Sequence, residues 1–165
     1  MNNTYLSIYN NFHPELITIQ NWDSLASAFS RTSFLIYGEA HGIRENANII
    51  YTYCKNLNIR HLAIECAPST KPFINSLVRN EIDFTLIDPD IFNASPLSIE
   101  MAKTITTLFH ENILKNVHCI DTYADSPKSD EDSDSPQQRE VMLTNALLDI
   151  TRTAPALCIT SNGTP

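Results

Sequence analysis

The chain has 165 residues, 42% of them hydrophobic and 18% charged, proportions that allow a sizeable buried core and exclude a disordered polypeptide. With 19 acidic against 11 basic residues the net charge is −8, which repels phosphate backbones and anionic lipid and sets nucleic acid aside as a partner. No run reaches the roughly 18–20 apolar residues of a membrane span, and no basic segment followed by an apolar core opens the chain, so the expectation is a cytoplasmic protein.

Taken in order, the segments alternate. Residues 21–30 read as a helix preceding a first strand over 34–37, a short apolar run that empties into Gly38-Glu39-Ala40-His41-Gly42. Residues 44–57 place Ala47, Ile50, Tyr51 and Cys54 on one apolar stripe with Ile43, the mark of an amphipathic helix. A second strand covers 61–66 and carries Glu65 at its end; a helix over 72–79 follows. Residues 99–114 repeat the helical stripe with Ile99, Ala102, Ile105, Leu108, Phe109 and Ile113, and Pro96 lies near its start. The third strand is placed at 117–121. Residues 124–136, which include Asp130, Glu131, Asp132 and Asp134, lack apolar periodicity and read as an acidic surface loop; their spacing is not that of a calcium-binding EF-hand. A helix over 137–151 and a fourth strand over 157–160 complete the pattern.

Strands without strict polar alternation, separated by helices, predict an α/β fold: a mostly parallel sheet of about four strands with helices on both faces, in one domain over 1–165. That topology puts Glu39, His41, Glu65, Asp121 and Asn162 at one edge of the sheet, where α/β proteins bind ligands. A histidine between carboxylates is suited to general-base chemistry, because a neighbouring negative charge favours its protonated form and fixes its tautomer. One imidazole and two carboxylates also suit a divalent metal, with His41 and Glu65 as the ligands. Two of them have a plainer reading, Glu39 as a helix cap and His41 as a turn residue; Glu65 is harder to set aside, because a carboxylate seldom lies at the end of a buried strand unless it is paired. His13, His61, His110 and His118 read as structural. Cys54, Cys66, Cys119 and Cys158 lack metal-site spacing and read as free thiols. There is no GxSxG elbow, no phosphate loop, and no basic patch interleaved with aromatics.

Leu35-Ile-Tyr-Gly-Glu-Ala-His-Gly-Ile-Arg-Glu-Asn46 resembles the first signature of the superfamily that joins erythromycin-esterase-like, Tiki/TraB and ChaN (haem-binding uptake) proteins. His61-Leu-Ala-Ile-Glu-Cys-Ala-Pro68 is similar to its second element, and Gln138-Arg-Glu-Val-Met-Leu-Thr-Asn145 to the helix before its last matching strand. The resemblance implies a cleft at the strand ends and a hydrolase reading: ester or peptide hydrolysis, with His41 as base or metal ligand, Glu39 and Glu65 as its partners, and Arg139 as an anchor for a carboxylate or oxyanion, its plainer reading being a surface ion pair on an exposed helix turn. The ligand would be a small molecule or peptide. Divalent metal and haem are the cofactors the superfamily suggests, and a haem- or small-ligand-binding protein without turnover, or an inactive relative, is the alternative. Against the superfamily pattern, Thr164 stands where a second histidine is expected, which points to a shortened member, a fragment or a degenerate copy. A sheet ending there is expected to leave its last strand poorly covered and to favour a homo-oligomer.

Overall fold

The computed structural model describes residues 12–39, 43–88, 97–122, 136–152 and 156–161. His41, Pro96, the loop over 124–135, Asn162, Gly163 and Thr164 lie outside them. In chain order the elements are α1 (Trp22–Thr32), β1 (Phe34–Glu39), α2 (Arg44–Asn56), β2 (His61–Ile64), α3 (Lys71–Val78), α4 (Ile99–His110), β3 (Asn116–Cys119), α5 (Pro136–Thr151) and β4 (Ala156–Ser161). A short 3₁₀ turn, Pro68–Thr70, leads into α3.

With three glycines in the whole chain, the helices must stop by other means. Asn58, Asn80 and Asn112 take the left-handed conformation just past α2, α3 and α4. Asparagine tolerates that region because its short polar side chain bonds locally. The next residue in each case turns its N–H back into the last turn: Ile59 to the Cys54 carbonyl, Glu81 to that of Ser76 and Ile113 to that of Leu108, at 2.9–3.0 Å. These are Schellman closures built on asparagine, and the last ends α4 at His110, four residues short of the predicted boundary. At the other end of α4, the Ser98 hydroxyl accepts from the Met101 N–H at 3.1 Å and caps the helix.

All four strands are parallel, in the order β1-β4-β2-β3. Parallel crossovers are right-handed, so reversing direction across a sheet requires changing faces. The chain moves one way from β1 through β2 to β3 with α2, α3 and α4 between, then steps back across β2 to β4 by way of α5. Core packing follows this path. Leu62, Ile64, Val117, Leu157 and Ile159 face a large cluster with Ile50 and Cys54 of α2, Ile74 and Leu77 of α3, and Ile105 and Leu108 of α4. The opposite face presents Ala63, Ile120, Ala156 and Cys158 to Ile150 of α5, with Leu143, Ala146 and Leu147 packed around them.

Two expectations are corrected. β4 is an interior strand, paired with β1 on one side and β2 on the other, and Ala156, Leu157 and Cys158 are wholly buried. The predicted poor cover of the last strand, and with it that reason for expecting an oligomer, is overturned. Glu65, which the sequence pattern alone puts on the neighbour of β1, instead follows a strand two places away, with β4 between them. The N-terminal segment that precedes α1 lies along α2: the Glu15 and Ile17 N–H groups donate to Asn48 Oδ1 and Thr52 Oγ1, both at 3.0 Å. The Arg44 guanidinium stacks 4.9 Å over the buried Phe12 ring.

Candidate functional site

Every strand is parallel, so the carboxyl ends of β1, β2 and β3 share one edge, and the acidic residues predicted there are found there. Glu39 is the last residue of β1; Glu65 comes directly after β2, and Asp121 two residues after β3. A small cleft, about 250 Å³ with the open solvent at its mouth included, lies at this edge. Glu39, Ile64, Glu65, Cys66 and Ile159 line it from the sheet, and Leu97 and Met101 line it from the start of α4. The sheet supplies the acids, and the capped first turn of α4 supplies part of an apolar wall.

The two glutamates are held by different layers. On the α2 side, the Tyr37 hydroxyl donates to Asn46 Oδ1 at 2.8 Å, and Asn46 Nδ2 donates to Glu39 Oε2 at 3.4 Å. Asn46 is buried, so its amide is fixed between the two. Burial raises the Tyr37 pKa, with smaller contributions from Tyr53 and the Glu39 charge, which keeps its proton available for the bond to Asn46. Glu39 thus meets a side chain in the first turn of α2.

On the α5 side, Arg139 joins β2 to β3. Its Nη2 donates to Glu65 Oε1 and, at 2.8 Å, to Asp121 Oδ2, which Nε also reaches at 3.3 Å. Glu65 and Asp121 are each 7% exposed, whereas the Arg139 side chain is 40% exposed. Buried carboxylates of this kind are retained in folds when a cation and good hydrogen bonds offset their lost hydration. The hydrogen bond to Asp121 and the Glu65 charge beside it hold the guanidinium pKa above its ordinary value. The same Glu65 charge, after burial, pushes the Cys158 thiol up to about 12. Arg139 thus meets two carboxylates of the chain itself.

Arg139 brings to Glu65 the positive charge that a divalent cation would bring, and among the described residues no three His, Cys, Asp or Glu side chains gather as a metal cluster.

The other histidines stand apart from this edge. His61 begins β2 at the opposite end of the sheet, and its Nδ1 lies 3.0 Å from Nε2 of His118, the two rings stacked. Burial first, then the Lys71 and His61 charges, lower the His118 pKa to about 4. His110 Nε2 lies 3.0 Å from the Val78 carbonyl. Sequence reasoning did not find Asn46, Tyr37 or the pairing of Asp121 with Arg139. The position of Asn46, seven residues after Glu39 in the first turn of α2, was the available signal, since a polar residue there can reach back to the preceding strand end.

Fold and site together define an α/β protein with a single all-parallel sheet and an acid-lined cleft at its carboxyl edge. Comparison with protein-family models, with curated proteins and with solved structures finds no match. No helix among the described residues is long and apolar enough to cross a membrane.

Proposed function

We propose that the protein is a hydrolase acting on an ester or peptide bond of a small ligand, of the kind suggested by the sequence resemblance to erythromycin-esterase-like and Tiki proteins. The observation that carries this reading is that Glu39 and Glu65 line one cleft at the carboxyl edge of a parallel sheet. His41, two residues beyond Glu39 in the sequence, is the proposed base that takes a proton from the attacking water. Glu39, oriented through Asn46 and Tyr37, is its electrostatic partner. Arg139, bonded to Glu65 and Asp121 yet still partly exposed, is the group on which an anionic product or oxyanion would lean. The step is ordinary hydrolysis: water adds to the carbonyl carbon, the acyl–oxygen or acyl–nitrogen bond breaks, and the proton held by the base passes to the leaving group.

The test is turnover of activated esters and short peptides by the wild-type chain and by His41→Ala and Glu39→Gln. His41→Ala is expected to reduce the rate at least about a hundredfold. A substrate turned over equally fast by both would remove His41 from the chemistry.

One observation favours a second reading. The Glu65 carboxylate is already committed to Arg139, as expected of a cleft that binds a small ligand without turnover and uses the acid to hold α5 in place. Under that reading a ligand raises the melting temperature of wild type and His41→Ala alike, and neither releases product.

A further inference from the structure

Beside the carboxylate–arginine bridge, the fold brings two cysteines together from different strands. Cys66 follows β2 by two residues, Cys119 closes β3, and their thiols are hydrogen-bonded to one another. The backbone arranges this contact. Cys119 stands opposite Ile64 in the parallel register. The Cys66 N–H turns back to the Ile64 carbonyl at 2.9 Å, and the Cys66 carbonyl accepts from the Asp121 N–H at 3.1 Å. Cys66 lies in the cluster on the α2–α4 side of the sheet and Cys119 packs against that same cluster, so both thiols lie on one face.

The two thiols differ in access. Cys66 is buried in the wall of the cleft, whereas Cys119 is only partly buried. Cys54 and Cys158 are fully buried, each in a different core cluster.

We propose that Cys66 and Cys119 form a redox-active dithiol, which hydrogen peroxide closes to an intramolecular disulfide in the wall of the cleft. Cys119, the more accessible, reacts first. Its thiolate sulfur attacks one peroxide oxygen, the O–O bond breaks, and the departing hydroxide takes up a proton as water, leaving a sulfenic acid. The Cys66 sulfur then attacks the Cys119 sulfur, the S–O bond breaks, and the second oxygen leaves as water with the Cys66 proton. In sum, two thiols and one hydrogen peroxide give one disulfide and two waters. The hydrogen bond to Cys119, then burial, then the charges of Cys119 and Asp121 hold the Cys66 pKa above its ordinary value, so Cys66 is not the thiol that meets the peroxide, and its attack on the sulfenic acid is the slower step, requiring its proton to pass to the departing hydroxyl. The new bond would tie the residue after Glu65 to the residue two before Asp121, locking the strand ends that Arg139 spans, and would take the Cys66 thiol out of the cleft. None of this depends on the hydrolytic reading, because thiol chemistry is its own readout.

The test uses the whole chain, reduced, freed of reductant, treated with hydrogen peroxide at a small molar excess and then alkylated and digested. The expected product is a peptide pair linked through Cys66 and Cys119, lost on treatment with dithiothreitol, absent from Cys66→Ser and Cys119→Ser, and undiminished in Cys54→Ser. A second measurement needs no substitution: dibromobimane, which fluoresces after bridging two nearby thiols, should label the reduced wild type at Cys66 and Cys119. Four free thiols after peroxide, a sulfinic acid at Cys119 without a link, or a disulfide between chains would each overturn the proposal. So would the absence of a bimane bridge.

Discussion

The two faces of the sheet are built differently. Toward α2, α3 and α4 the strands present branched, bulky side chains, and nearly all of the large buried residues lie in that one cluster. Toward α5 the same strands present Ala63, Ala156 and Cys158, small residues covered by one helix that still leaves its own Val141 and Leu148 exposed. Apolar burial therefore concentrates on one face, while on the other a polar contact, Arg139 to Glu65 and Asp121, fixes the first turn of the helix to the strand ends. The candidate site is assembled where these two ways of holding a helix meet. Its apolar wall comes from the thick face and its cation from the thin one.

The largest effect that tests this contrast comes from adjacent layers. Leu62→Ala, on the thick face and wholly buried, should cost about 2–5 kcal/mol, because it removes both transferred surface and packing partners. Leu147→Ala on α5, only partly buried, should cost clearly less. Urea midpoints of the two variants measure the difference, and equal losses would show that the faces contribute alike. Next comes Arg139→Ala. It leaves Glu65 and Asp121 buried without their cation, an expected loss of about 1.5–3 kcal/mol, the range for hydrogen bonds to charged groups, kept this low because the guanidinium is partly in water. Adding Glu65→Gln to Arg139→Ala should recover part of that loss. If the double variant is as unstable as the sum of the two single ones, the bridge is not what seats α5.

How much of this was legible in the chain follows from the physics of each feature. Strand and helix positions were, because apolar runs and 3.6-residue stripes are local: β1, α2 and α3 begin or end within a residue or two of where the pattern puts them. Strand order was not, since pairing depends on which face each crossover takes. The clue lay in composition. Ala-Leu-Cys-Ile over β4 is apolar throughout, as an interior strand must be, whereas β1 ends in Tyr37-Gly-Glu39 and can sit at an edge. The acids at the strand ends were legible as a group once the sheet was taken as parallel. Their partners mostly were not: the bonds from Arg139 to Asp121 and between Cys66 and Cys119 join elements across a layer or far apart in sequence, where no spacing rule reaches, and Asn46 alone lay within local reach of its acid.

The smallest expected effect belongs to the thin face at the edge strand. Side chains alternate along β3, so His118 points to the same side as Ile120, which packs in the α5-side cluster, and it meets His61 there at 3.0 Å. Its pKa in the fold is about 4 against an ordinary 6.5, set first by burial and then by the nearby Lys71 and His61 charges. The unfolded chain therefore binds the proton more readily than the folded one. The stability this site contributes is complete above pH 6.5 and is lost as the pH falls toward 4. Urea midpoints should drop between pH 7 and pH 5 in the wild type, and His118→Gln, which cannot take up the proton, should show a shallower fall over the same interval. Because the imidazole is only about half-buried, solvent screens much of the effect, and the change in slope should be small beside either substitution above. Parallel slopes for variant and wild type would mean that the thin face tolerates a charge at this position, and that its small residues, rather than its dryness, distinguish it from the face packed by α2, α3 and α4.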